Sequence, residues 1–409
     1  MANNTITAPE GFLAAGLQCG IKKSGKSDLA LLVCPAGANT AAVFTTNKVV
    51  SAAVQVCKEH VRSPRIYAVV VNSGNANTCT GRKGIKNAIT MCSQTAHSLT
   101  EIRDTRYEPR NILVASTGII GKQLPIEKIT AGISKAAAKL SASSKAGLDF
   151  ARAIMTTDTK PKQAVRRLEV SGTNVTIAGA VKGAGMIAPN MATTLCFITT
   201  DVAITKPLLA KALKAAIGNS LNRLTVDGHQ STNDTAIILA SGLAGNAERI
   251  GIVSQCPRYK RFANTLAEVC DDLAKQMALD AEGATRIFKV VVKGAATKAD
   301  AAKACRAVAD YPLVKCAVNG GDPNWGRIIC AVGSASVKLN PNKLSCKLGP
   351  ITVFKNGAPR KFDAKKASKV VSQSEHTVTV NLGAGKADDF CYGCDLSAEY
   401  VRINADYRT

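Results

Sequence analysis

Residues 181–197 read VKGAGMIAPNMATTLCF, a loop of glycines and one proline that runs directly into an apolar segment whose first polar groups are the hydroxyls of Thr193 and Thr194. Leu195 to Thr200 has the β-branched and aromatic character of a strand. A threonine at the mouth of a strand, behind such a loop, suits an N-terminal nucleophile. Scission of the peptide before Thr193 would free an α-amine whose ordinary pKa, about 7.7–8.0, lets it act as base for the hydroxyl of the same residue. The cut would begin with attack of the Thr193 hydroxyl on the Ala192 carbonyl, which needs a strained loop and an oxyanion hole. Spacing alone leaves the plainer reading open, an ordinary threonine at a strand start, because Ala-Thr is a common pair.

Working outward, Ile66 to Val71, Phe288 to Lys293, Val314 to Val318 and Thr377 to Leu382 also read as strands. Between them lie helical patterns. From about Arg258 to Met277, Phe262, Leu266, Val269, Leu273 and Met277 recur at spacings of three and four. A second helix is expected from an N-cap at Thr205, with Pro207 in its first turn, to Gly218. Strands alternating with helices give an α/β protein. Two loops rich in glycine and hydroxyls follow strands, VNSGNAN at 71–77 and ASTGIIG at 115–121. Loops at strand ends are where such a scaffold displays chemistry.

At 409 residues, 46% hydrophobic and 20% charged, the chain can bury a large core and is long enough for two lobes. No uninterrupted apolar run reaches the 18 residues of a membrane span. The first residues, MANNTITAPE, have neither the basic head and apolar run of a signal peptide nor an Arg-rich transit pattern, so a cytoplasmic location is expected. The fourteen cysteines are scattered singly, and Cys34, Cys196, Cys270 and Cys330 sit in apolar runs as small buried hydrophobes of a reducing compartment. Cys391 and Cys394 form a C-x-x-C pair without a second pair or nearby histidine, so no metal site is expected. The net charge of +24 invites a nucleic-acid reading. The bases are dispersed except for Lys355, Arg360, Lys361, Lys365, Lys366 and Lys369, and aromatics are 4%. Without aromatic platforms the field reads as a solubility trait or as steering for acidic substrates, with no nucleic acid as partner.

Residues 20–27, GIKKSGKS, match the P-loop pattern literally. A phosphate cradle needs a helix after the loop, yet DLALLVCP follows, a strand-like run closed by proline. The match is therefore expected to be a basic turn between two strands. No G-x-S-x-G elbow or H-E-x-x-H spacing exists. His60, His97 and His376 read as surface residues, while His229 lies in a denser segment.

In addition to residues 181–197, the blocks VNSGNANTCTG (71–81), STGIIG (116–121), IMTTDTKPK (154–162), TVDGHQSTNDT (225–235), DPNWGR (322–327) and YVRINADYRT (400–409) occur in order along the chain. Together they resemble the ornithine acetyltransferase family of arginine biosynthesis, over essentially the whole sequence. The resemblance implies a layered α/β/β/α sandwich of the type shared with β-aminopeptidases, cleaved by itself into an α chain, 1–192, and a β chain, 193–409, with two copies of each in the assembly. It implies Thr193 as nucleophile, Ala192–Thr193 as cleavage site, and Thr117 with Gly118 as oxyanion hole. It also implies Thr156, Lys182, Thr193, Glu282, Asn404 and Thr409 as contacts to N-acetylornithine and glutamate, in a ping-pong transfer without a bound cofactor. Chemically, Lys182 suits a carboxylate and Glu282 an ammonium; apart from the resemblance they read as a surface base and a helix-end carboxylate. If Asn404 and Thr409 line the site, the end of the chain must be ordered, against the usual fraying. The sequence departs from the family at Thr194, where methionine is usual, at Ala184, where serine is frequent, and at Gly228-His229-Gln230. Acetyl-CoA as a second donor is left open by the sequence. So are a related β-aminopeptidase, distinguished by hydrolysis outpacing acetyl transfer, and a nucleic-acid binder, distinguished by steep salt dependence that survives Thr193→Ala.

Overall fold

The computed structural model describes residues 3–103, 105–170, 172–188, 194–246, 250 and 256–406. The first half of the chain gives β1 (Leu13–Leu17), β2 (Leu29–Phe44), α1 (Ala52–His60), β3 (Ile66–Asn75), α2 (Gly81–Arg103), β4 (Ile112–Ile119), α3 (Ile126–Ala137), α4 (Ser144–Ala153), β5 (Lys162–Val170) and β6 (Thr173–Lys182). Then come β7 (Leu195–Thr200), α5 (Lys206–Gly218), β8 (Thr235–Ala240) and α6 (Pro257–Leu279). Their strands run in the order β4-β3-β2-β8-β7-β6-β5, with β1 on β2.

β2 turns this ribbon into two layers. Its first part pairs antiparallel with β3, the register slips between Val33 and Ala38, and residues 39–44 pair with β8. The two halves of the ribbon then face each other. Ala30, Leu32, Val69, Val71, Leu113, Phe197, Ile237 and Leu239 point into one shared inner core with Phe150 of α4. Their sequence neighbours point outward, Leu31, Val70 and Val114 under α2 and α3, and Cys196, Ile198 and Ile238 under α5 and α6. Strands covered on both faces read as continuous apolar runs, which is why they stood out in the sequence. The order of layers is helix, sheet, sheet, helix, as the family resemblance implied.

The remaining residues add β9 (Ile287–Ala295), α7 (Lys298–Asp310), α8 (Pro312–Gly320), α9 (Trp325–Gly333), β10 (Ser345–Leu348), β11 (Ile351–Lys355), β12 (Ala358–Pro359), α10 (Ala364–Val371), β13 (Glu375–Asn381), β14 (Ala387–Cys394) and α11 (Ala398–Asp406). The strands form a second sheet, β12-β11-β10-β13-β9-β14, with its own core against α7 to α9. Ile287, Tyr392 and Cys394 reach across to the core beneath α6, which joins this unit to the layered one.

Several expectations need correction. Val314 to Val318 is helical, inside α8: Pro312 opens the helix and Gly321, at φ +65°, closes it in the left-handed conformation. A five-residue apolar run carries no period long enough to decide this. Cys330 is exposed, and His376 is buried, stacked on Phe288 with 5.9 Å between ring centroids. The turn that matches a P-loop does join two strands, β1 and β2. Its amide cradle is filled from within, since Asp28 accepts the N–H groups of Cys19, Ile21 and Lys22 at 2.6, 2.7 and 3.0 Å. The basic cluster from Lys355 to Lys369 is exposed along β11 and α10. No helix among the described residues is long and apolar enough to cross a membrane, and none of the His, Cys, Asp and Glu there group as a metal site.

Candidate active site

The C-terminal ends of β2, β3, β4 and β6 and the N-terminal ends of β7 and β8 meet on one edge of the layered unit. The register sets this: Lys182 lies opposite Leu195, Leu195 beside Thr235, and Thr235 opposite Phe44. A cavity of about 270 Å³ opens there. Thr117, Gly118, Thr156, Lys182, Glu282 and Asn404, distant in sequence, all line it, together with Thr194. Ala192, Thr193 and Thr409 lie outside the described residues.

Thr117 and Gly118 end β4, where the strand runs parallel to β3 with Thr117 beside Ser73 and Gly118 beside Gly74. Gly118 has φ +130°, and a Cβ there would stand 2.3 Å from the Gly74 carbonyl carbon. Only glycine allows this approach. Asn233 fastens the two loops, its amide donating to the carbonyls of Ala76 at 2.6 Å and Ser116 at 2.8 Å, while its oxygen accepts from the Thr78 hydroxyl at 2.8 Å. Buried and fully partnered, this side chain fixes the backbone that carries the Thr-Gly pair.

Behind Lys182 lies a buried ionic group. Lys162, 1% exposed, reaches Asp158 and Asp280 at 2.5 Å each. Asp158 also accepts the N–H groups of Thr156 at 2.9 Å and Gly183 at 2.7 Å. It thereby sets the residue on either side of the cavity wall: Thr156, whose hydroxyl accepts from Lys182 Nζ at 3.3 Å, and the glycine that follows Lys182. Burial pushes the Asp158 carboxyl up, but Lys162, Lys182 and the donors outweigh it and hold it below the usual range. For Lys182 burial dominates and lowers its pKa, against the pull of Asp158, Asp234 and Glu282.

Asp227 holds the chain at Met186 and Ile187. Its carboxylate accepts the amides of Met186 at 2.7 Å and Ile187 at 2.9 Å, and the Tyr400 hydroxyl at 3.2 Å. Met186 has φ +54°, a conformation that costs a non-glycine residue about 1 kcal/mol or more, and the two charge-assisted bonds secure it. Glu282 lies flat against Gly185, where a Cβ would stand 2.2 Å from the carboxylate, and accepts from Asn404 at 2.9 Å. α11 is thus ordered over the cavity through Tyr400 and Asn404, although it buries none of its own residues. His229 lines the cavity with an exposed ring.

Sequence reasoning missed Asp158, Asp227, Asn233, Asp234 and Tyr400. Each stands inside one of the blocks that carry the family resemblance, which was the signal available; the contacts that give them roles form only on folding.

A family model described as the ArgJ family matches residues 13–409. The arginine biosynthesis bifunctional protein ArgJ of Symbiobacterium thermophilum is 46% identical over 406 residues, spanning 99% of this chain and 98% of that protein. The protein of the same name from Geobacillus stearothermophilus is 40% identical over 410 residues, spanning 100% and 97%. Among solved structures, ArgJ from Bacillus halodurans is 40% identical with a TM-score of 0.49, covering 52% of this chain and 98% of that one. Ornithine acetyltransferase from Mycobacterium tuberculosis, in complex with ornithine, is 37% identical with a TM-score of 0.42, covering 47% and 98%.

Proposed function

The chain belongs to the ArgJ family, and from that premise we propose that it transfers the acetyl group of N-acetylornithine to glutamate through an acetyl ester on Thr193, after cutting its own backbone between Ala192 and Thr193. In the cut, Thr193 Oγ bonds to the Ala192 carbonyl carbon, the C–N bond breaks, and the nitrogen takes the hydroxyl proton. Water then hydrolyses the ester, leaving a carboxylate on Ala192 and a free hydroxyl beside a free α-amine on Thr193.

The same nucleophile takes acetyl from N-acetylornithine and gives it to glutamate. Thr117 and the Gly118 amide hold the tetrahedral oxyanion, each donor lowering the barrier by about 3–4 kcal/mol. Lys182 holds a substrate carboxylate beside Thr156, and Glu282, steadied by Asn404, an ammonium. No cofactor is bound, and acetyl-CoA serves as a second donor, in keeping with the bifunctional naming of the relatives. Two α and two β chains assemble in the cytoplasm.

The observation that carries this reading is the gathering of six residues of matching chemistry, from five separate parts of the chain, around one cavity, with Thr194, the neighbour of the nucleophile, in its wall. Intact mass and N-terminal sequencing test it. Wild type is expected as two pieces, the second beginning at Thr193, and Thr193→Ala as one unbroken chain without transferase activity. An active single chain refutes the proposal.

A further inference from the structure

Asp234 is a cavity-lining carboxyl that the transfer described above does not use. It stands between Asn233, which fastens the oxyanion loops, and the first residue of β8. Its carbonyl accepts the Thr45 amide at 2.9 Å, and the next amide, that of Thr235, donates to the Thr194 carbonyl at 2.8 Å. The backbone is therefore pinned to β2 on one side and to the start of β7 on the other. The residue is 2% exposed, Ser231 bonds to the carboxyl, and Oδ2 is buried with no hydrogen-bond partner among the described residues. The residues next to the flanking strands, Thr45 and Thr194, are both uncharged, and the Thr194 hydroxyl likewise has no partner among the described residues. Lys182 on β6 is the charged group that acts on it.

A buried carboxylate with an idle oxygen is costly, and such a group keeps its proton instead. Burial drives the Asp234 carboxyl well above the usual range, with Lys182 and Ser231 opposing. The wall of the cavity thus holds a carboxyl biased towards its protonated form, with one oxygen uncommitted among the described residues, at the strip that borders Thr194.

We propose that Asp234 carries the amine proton in acetyl transfer, giving it to the departing ornithine nitrogen and taking one from the attacking glutamate nitrogen. The proposal rests on the acetyl-Thr193 reading. In the first half, Oγ of Thr193 bonds to the acetyl carbon and its proton passes to the α-amine of Thr193. The bond from acetyl carbon to ornithine nitrogen breaks, and that nitrogen takes the Asp234 proton, leaving as an amine that solvent protonates. In the second half the steps reverse. Glutamate's α-amine, its ammonium proton left in solvent, bonds to the acetyl carbon and hands one N–H proton to the Asp234 carboxylate. The C–O bond breaks, and Oγ recovers its proton from the α-ammonium of Thr193. Protons, bonds and charges balance over the cycle.

The test compares two acetyl donors in Asp234→Asn and Asp234→Glu, scored by acetylation of the β chain in intact mass. N-acetylornithine expels an amine that needs a proton; p-nitrophenyl acetate expels a phenolate that does not. Asp234→Asn is expected to slow acetylation by the amide donor about 100-fold or more and to change the ester reaction less than about threefold. Asp234→Glu should recover part of the amide rate. Equal loss with both donors or a chain that stays uncut assigns the carboxyl to folding or scission, and either of these, or no loss with either donor, overturns the proposal. Failure of the wild-type β chain to gain acetyl from either donor sinks the Thr193 reading instead.

Discussion

Replacing Lys162 with methionine should be among the most damaging single changes in the layered unit, and its cost should depend on pH in a way that identifies the cause. Lys162 is the shared partner of Asp158 and Asp280, all three buried, with 2.5 Å to each carboxylate. Methionine fills similar volume, so packing is nearly conserved and the lost charge dominates. Removing one member of a buried ionic group costs about 3–5 kcal/mol, because the remaining charges stay out of water without compensation. The amides that Asp158 accepts from Thr156 and Gly183 soften this, so about 3 kcal/mol is expected at pH 8. The sign with pH follows from the carboxyls. In wild type Asp158 is held below its ordinary pKa, so its contribution is present above the unfolded value, about 3.9, and is lost only as pH falls through the lower folded value. In Lys162→Met, Asp158 keeps Lys182 and its amide donors but loses the ammonium bonded to it, its carboxyl moves up, and acid stabilises the variant. The gap should therefore shrink by about half on going from pH 8 to pH 5. Urea denaturation followed by circular dichroism measures both, in the unbroken Thr193→Ala background so that one chain unfolds. A cost below about 1 kcal/mol at pH 8, or one that does not change with pH, would refute the electrostatic account.

Two further outcomes are expected. Gly118→Ala puts a methyl 2.3 Å from the backbone of Gly74 at φ +130°, so the ends of β3 and β4 must part; scission and transfer should fall about 100- to 1,000-fold in gel and rate assays. His376, buried and held neutral, has its pKa lowered to about 4 by burial and by Arg286, so stability complete above the ordinary value of 6.5 is lost as pH falls towards 4, by about 2–3 kcal/mol; His376→Phe, keeping the stack on Phe288, should remove that limb from a denaturation series.

Much of the fold could be read from residue patterns because its elements are long or doubly covered. β7 falls where LCFITT placed it, and α5 runs from its Thr205 cap to Gly218. α6 shows its apolar stripe over six turns. Val314 to Val318 deceived because five apolar residues fit a strand as well as one face of a short helix, and only Pro312 and Gly321 mark its ends. His376 deceived because its strand alternates polar and apolar residues and the burial of one face belongs to the second sheet's packing. Of the site, Thr117, Gly118, Thr156, Lys182, Glu282 and Asn404 line one cavity, and it was the family resemblance, not any spacing, that singled them out. The positioning carboxylates were hidden for a different reason. Asp158 and Asp227 act on backbone amides 25 and 41 residues away, and no local spacing encodes that kind of contact.

The pairing of β6 with β7 has a further consequence, because these neighbours flank the Ala192–Thr193 linkage. A nick there would leave the two polypeptides interlaced within one hydrogen-bonded ribbon, so native material would not fall apart on dilution. Once melted, however, the halves would have to find each other again, and recovery on cooling would become second order in protein. The precursor would refold at a rate indifferent to concentration, whereas the mature form would recover slowly or not at all when dilute.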